Sequence, residues 1–182
     1  IRERLAGYTT FLPSRELALA LAPAYGAAEV EALRGETSEA VLLLAGQGDA
    51  NLHLGENPTP LVVRAALGGT LTGPELRSVS RLLEVLREAR TFLLRRRGVA
   101  PRLSEAAGGI PELADLERAI GVCIGGRGEV LDDATPNLGV LRRQATQAYQ
   151  AATDALTRII RSPVGAEALQ DDVMTIRAGR LV

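Results

Sequence analysis

Four groups of residues in this 182-residue sequence have types and spacing that could do chemistry. Gly125-Gly-Arg-Gly128 is glycine-rich enough to fold backbone N–H groups around a phosphate. It lacks the Gly-Lys-Ser/Thr ending of a phosphate-binding loop, however, and the chain contains no lysine to reach a phosphate, so a tight turn is the favoured reading. Asp132-Asp133, with Glu129 nearby, offers oxygen ligands to a hard cation. Adjacent carboxylates just before a helix start are equally what the positive helix end attracts, and no metal site is assigned. Arg142, Arg143, Arg158 and Arg161 lie on the polar side of a long helical segment, interleaved with Gln144, Gln147 and Gln150. Their guanidinium groups could face nucleic-acid phosphates, a partner subunit or water, and the sequence alone does not choose. Arg95-Arg-Arg97 closes another helix, where cations complement the negative dipole end; phosphate contact is the minority option.

Nucleophilic catalysis has little to work with. His53 is the only histidine and Cys123 the only cysteine, so Cys/His zinc sites and disulfides are excluded. Ser14, Ser78, Ser80, Ser104 and Ser162 have no histidine-based triad to join, since His53 stands alone in a polar loop. No catalytic, cofactor-binding or metal-binding residue is therefore assigned to this segment. The net charge of −1, from 21 basic and 22 acidic residues, is not that of an autonomous nucleic-acid binder, so any such binding must be local. All 21 basic residues are arginine, which reflects a GC-rich genome more plausibly than a site.

Helices must position these groups. Leu and Ala make up about a third of the chain, and three Tyr, two Phe and no Trp complete a composition typical of helices packed on helices. The expected fold is mainly α: a helical core bundle with a long lever-type helix and short β segments near 122–131 and 173–181. Short helices are predicted at Ile1 to Tyr8 and from Ser14, as cap, to Leu21. A third runs from about Ala27 to Ala45, with Val30, Leu33, Ala40, Val41 and Leu44 as its apolar stripe and a possible break at Gly35. Thr59 to Leu67 ends at Gly68-Gly69. Thr72-Gly-Pro-Glu75 is a capping box with proline in the first turn, and opens a main bundle helix to about Arg97. Pro101 to Ala107 and Pro111 to Ile120 follow, and the apolar runs around Gly125-Gly-Arg-Gly128 could pair as a hairpin. Thr135 as cap and Pro136 start the longest helix, to about Arg161. Its seam of Leu138, Leu141, Ala145, Ala148, Ala152, Leu156 and Ile159 resembles that of a coiled coil. Ile1 is no initiator methionine, and the strand-like Val173 to Ile176 lacks an evident partner, so the chain is expected to be part of a larger protein. No apolar run approaches the roughly 20 residues of a membrane span, which makes a cytoplasmic location the default.

Taken in order, Glu3 to Leu21, Thr37-Ser-Glu-Ala40, Gly68-Gly-Thr-Leu71 with Pro74-Glu-Leu76, Gly128 to Leu138, Arg142-Arg143 and Val173 to Leu181 resemble the N-terminal part of the MutS-two family. These are bacterial paralogues of the mismatch-repair ATPase MutS. The strongest anchors are Gly-Glu-Val-Leu-Asp-Asp-Ala-Thr-Pro from Gly128 and Thr-Ile-Arg-Ala-Gly-Arg from Thr175, although Thr135 stands where Ser is more usual. The resemblance implies a helical core over 1–134 and, over 135–182, a long lever helix with the start of the following segment. It implies a homodimeric parent that uses ATP and Mg, carries clamp and nuclease domains absent from this chain, and acts on branched or mismatched DNA, on recombination between similar sequences, or on collided ribosomes. No ATP or nuclease residue can be carried onto this numbering. The alternative is a stand-alone, non-enzymatic helical module that dimerises through the 138–159 seam.

Overall fold

Apolar residues at three- and four-residue steps, punctuated by proline and glycine, fold here as helices. The computed structural model describes residues 1–46, 48, 52–168, 175–177 and 180–181. The chain divides into two compact units, Ile1–Leu131 and Asp132–Val182. The first holds α1 (Arg2–Ala6), α2 (Leu12–Ala20), α3 (Ala27–Gly46), α4 (Thr59–Ala66), α5 (Gly73–Leu94), α6 (Pro101–Gly108) and α7 (Ala114–Cys123). The second holds a single 3-10 turn (Asp132–Ala134), α8 (Leu138–Ile160), α9 (Pro163–Ala168), and strands β1 (Ile176–Arg177) and β2 (Arg180–Leu181). The mainly helical class is as the sequence predicts, and no helix among the described residues is long and apolar enough to cross a membrane.

In the first unit α5 is the element against which α4, α6 and α7 pack. Its Leu83 meets Ile120 and Ile124 from the end of α7 in a buried cluster, with Leu76, Val79 and Cys123 around it. Each such buried aliphatic side chain contributes about 1.5–3 kcal/mol relative to exposure. At the start of α5 the Thr72 N–H and hydroxyl both donate to Glu75 Oε2, at 2.8 and 2.9 Å, and Arg64 of α4 reaches the same oxygen at 2.5 Å. The α5 N-terminus also abuts the turn after α7. A Cβ on Gly73 would lie 2.1 Å from the Gly128 carbonyl oxygen, and one on Gly128, whose φ is +82°, would lie 2.6 Å from Pro74 Cα. Only glycine fits either position.

Glu39 joins α3 to α6. It is a buried carboxylate that accepts the Arg102 and Leu103 N–H groups at 3.2 and 3.0 Å, so it caps the α6 N-terminus from another helix. Arg102 in turn lies across α3, donating to the Glu31 and Ala32 carbonyls at 3.0 and 3.3 Å. A Cβ at Gly35 would collide with the Arg102 guanidinium. Gly35 therefore makes room for Arg102, and α3 runs through it without a break.

Several boundaries differ from expectation. Ser14 lies inside α2, whose cap position is Phe11 and whose first turn contains Pro13. Pro111 precedes α7, which starts at Ala114 and continues through Val122 and Cys123 because the Ile124 N–H still bonds to the Ile120 carbonyl at 2.8 Å. The β segment expected near 122–131 is thereby corrected to a helix end and a turn closed by one antiparallel bridge, Ile124 with Val130. Among the described residues near 173–181 nothing larger than one short two-stranded ladder forms. A two-residue antiparallel ladder pairs Ile176 with Leu181 and Arg177 with Arg180, so the partner of Ile176 is within the chain; Val173 and Met174 lie outside the described residues. The Thr135-Pro136 start is also corrected: α8 begins at Leu138 with Asn137 as cap residue.

Replacing Gly128 with alanine combines a positive-φ penalty with overpacking on Pro74 and is expected to cost about 2–3 kcal/mol in urea unfolding, without loss of helix content in the folded state. The Glu75 carboxyl is held down from 4.5 to about 2, first by Arg64, then by the Thr72 N–H and hydroxyl. Its folded-state value lies below the unfolded one, so its contribution is complete above pH 4.5 and is lost as pH falls through about 2. Glu75→Gln is expected to flatten that part of the melting-temperature curve, measured by circular dichroism between pH 5 and 2.

Candidate nucleic-acid interface

Beyond Gly139 the α8 sequence contains neither glycine nor proline, and the helix is unbroken for 23 residues, roughly 34 Å at the α-helical rise. The hydroxyls of Thr146, Thr153 and Thr157 donate to carbonyls four residues earlier at 2.8–2.9 Å, so these polar groups are satisfied within the helix.

A helical step of about 100° per residue puts Arg143 and Arg161 on one line along α8, with Gln147, Gln150 and Arg158 beside it. Arg142 is turned about 100° away from Arg143. All four arginines are exposed. Arg142 is committed: its Nη1 donates to Asp132 Oδ1 at 2.5 Å. Gly139 allows this, since a Cβ there would lie 3.3 Å from Asp132 Cβ and 3.4 Å from Arg143 Nη1, and the 3-10 turn must lie close to the first turn of α8. Arg143 lines an open cleft of about 300 Å³ with Asp132, Asp133, Thr135, Pro136 and Val140. It forms no ion pair among the described residues. Arg158 Nε makes a long 3.4 Å bond to the Asp154 carbonyl of its own helix, and Arg161 is the C-terminal cap residue. The structure thus brings Arg143, Arg158 and Arg161 to one polar face and sets Arg142 apart. The face carries one acid, Asp154, which accepts from Gln150 Nε2 at 3.0 Å. Sequence reasoning missed the Asp132–Arg142 pair; the only local signal for it is glycine in the first turn of an otherwise glycine-free helix.

The Gly125–Gly128 turn does not fit a nucleotide phosphate. Three of its four N–H groups are already used: Gly125 donates to the Glu129 carbonyl at 2.8 Å, Gly128 to the Gly125 carbonyl at 3.0 Å, and Arg127 to Glu129 Oε2 at 2.9 Å. The anion in this small nest is the chain's own Glu129, whose carboxyl is lowered by its own N–H and that of Arg127. Among the described residues no group of three or more His, Cys, Asp or Glu side chains is arranged to hold a metal ion.

No family model matches the chain. Curated relatives match all of it. "Endonuclease MutS2" of Bacillus velezensis is 29% identical over 185 residues, that of Geobacillus kaustophilus 33% over 185, and that of Symbiobacterium thermophilum 33% over 182. The alignments take in 100% of this chain and 24%, 24% and 23% of these relatives. The chain spans about a quarter of the length of the curated relatives it matches.

Asp132→Asn removes an exposed ion pair, worth under ~1 kcal/mol in such a setting. The unfolding midpoint is expected to fall by no more than about 4 °C; a larger drop would show that this pair anchors the 3-10 turn to α8.

Proposed function

Because this chain belongs to the MutS2 family, we propose that it is the core-and-lever part of a MutS-like ATPase, transmitting nucleotide-driven movement to a clamp around nucleic acid. The observation that carries this reading is α8: one unbroken helix with exposed, largely uncommitted arginines on its polar face. An unbroken helix transmits displacement along its axis because bending it would strain backbone hydrogen bonds in every turn. ATP hydrolysis with Mg²⁺, elsewhere in a homodimeric parent, supplies the free energy. Within this chain, Arg143, Arg158 and Arg161 meet phosphate oxygens, while Arg142, neutralised by Asp132, keeps the start of the helix in register. The target is branched or mismatched DNA, with suppression of recombination as the consequence; ribosomal RNA of a collided ribosome offers the same phosphate chemistry. The endonuclease activity in the relatives' names is the parent's, and the setting is the cytoplasm.

A second reading, a helical module that self-associates, is favoured by the opposite face of α8, where Leu141 and Ile159 are 58% and 60% exposed. Salt separates the two. Phosphate contact loses affinity steeply with salt, by about 0.9 log units per log unit of salt for each neutralised phosphate, whereas apolar self-association does not.

In the full-length parent, the triple variant Arg143→Ala, Arg158→Ala, Arg161→Ala is expected to reduce the salt slope of branched-DNA binding by about 2–3. An unchanged slope places the phosphate contacts elsewhere. Ala148→Pro, in the middle of α8, is expected to break the helix at a cost of at least ~3 kcal/mol and to uncouple ATP turnover from DNA binding. A native helical signal and an unchanged unfolding midpoint would refute the assignment of α8 as the transmitting element.

A further inference from the structure

α3 is long but barely embedded: 15 of its 20 residues are exposed, and only Glu39 and Leu43 are buried. The helix it packs on is α6, and the Leu83–Ile120–Ile124 cluster takes nothing from it. What holds it there is mostly polar. The Glu39 carboxylate accepts the Arg102 and Leu103 N–H groups, and the Arg102 guanidinium fills the space left by Gly35, donating to the Glu31 and Ala32 carbonyls. An attachment with one buried aliphatic side chain and a few polar bonds belongs to the low-stability end of a structure, which opens locally before the core does.

The path of the chain lets this helix open alone. The segments before α2 and after α3 are bonded to each other: the Leu12 N–H donates to the Leu54 carbonyl at 2.9 Å, and the Leu54 N–H to the Thr10 carbonyl at 3.0 Å. The Thr10 hydroxyl adds a bond to the Leu52 carbonyl at 2.8 Å, and Phe11 and Leu54 form a parallel bridge. This pin is fixed on both sides, by the packing of α2 on α1 and by the Ser78 hydroxyl of α5, which donates to Glu56 at 2.8 Å. α3 therefore lies on an excursion whose two ends stay in place whatever α3 does. Residues 21–26, which lead into it, form no regular structure and are mostly exposed. We infer that α3 is a hinged arm, which undocks from α6 as one body by turning about residues 21–26 while the pin and the α5–α7 core stay folded. Glu39 and Arg102 are its latch. Both halves of the latch join the same two helices, so undocking loses them together. The free arm, with glycine in its middle and little to pack on, then frays.

The test is hydrogen exchange of the full-length parent, read by mass spectrometry in a series of urea concentrations below its unfolding midpoint. Peptides from 28–45 and the Arg102 and Leu103 amides should exchange together, at least about tenfold faster than peptides from 76–93, and with a weaker urea dependence because local opening exposes little surface. Gly35→Ala pushes the flexible Arg102 side chain off the α3 carbonyls and leaves Glu39 in place. It should speed exchange at Arg102 and Leu103 several-fold and leave α5 and α7 unchanged. Exchange of 28–45 at the rate and urea dependence of 76–93 would show that α3 opens only with the core. Fast exchange in 28–45 with Arg102 and Leu103 as slow as α5 would show fraying without undocking, and a Gly35→Ala variant that loosens α5 and α7 equally would make the latch part of the core. Each of these three results overturns the inference while leaving the salt behaviour of the α8 arginines untouched.

Discussion

The contact of Leu83 on α5 with Ile120 and Ile124 at the end of α7 is the constraint on which the first unit depends. It fixes where α7 stops, and so where the Gly125–Gly128 turn must close. That turn returns under the N-terminus of α5, with the Gly128 carbonyl so near Gly73 that neither residue can carry a side chain. Further along α5, Arg90 holds the connection between α6 and α7 through the Ile110 carbonyl and Glu112, and Arg87 holds α7 through Glu117. α6 then receives α3 through Glu39 and Arg102. A chain of contacts thus runs from one aliphatic cluster to a helix that has no place in that cluster.

What could be read in advance follows from how local the signal is. Thr72-Gly-Pro-Glu75 announces its helix because all parts of the cap lie within four residues, and α5 begins where they say. The run Val122-Cys-Ile124 was ambiguous, since a short apolar stretch before glycines serves a strand or a helix end equally well; contact with Leu83 on α5 decides for the helix. Gly35 suggested a break because the residue it accommodates, Arg102, lies 67 positions further on. Glu39 was unreadable for the same reason, being a cap for a helix distant in sequence. On α8 the four arginines were visible as a group, but their division into one paired and three on a common face depends on the helical phase and on Asp132.

Two helices, one in each unit, share a property that ties structure to function. α3 and α8 both leave large aliphatic side chains exposed, Leu33, Val41, Leu42 and Leu44 on α3 and Val140, Leu141 and Ile159 on α8. Contiguous exposed apolar surface marks interaction sites. Both fit a segment that spans about a quarter of its relatives' length. In α8 the seam backs a polar face with exposed arginines, so one stiff element can pack on protein along one side and approach phosphates along the other.

The proposed role stands or falls with α8 moving as a rigid body in a nucleotide-driven cycle of the parent. Hydrogen exchange of the α8 amides in full-length MutS2, with and without ATP, tests it most directly. The account predicts strong, uniform protection from about Arg142 to Ile160 in both states, with nucleotide-dependent changes confined to regions beyond the helix ends. Protection that collapses in the middle of α8 in either state would contradict it, because a helix that melts cannot act as a lever.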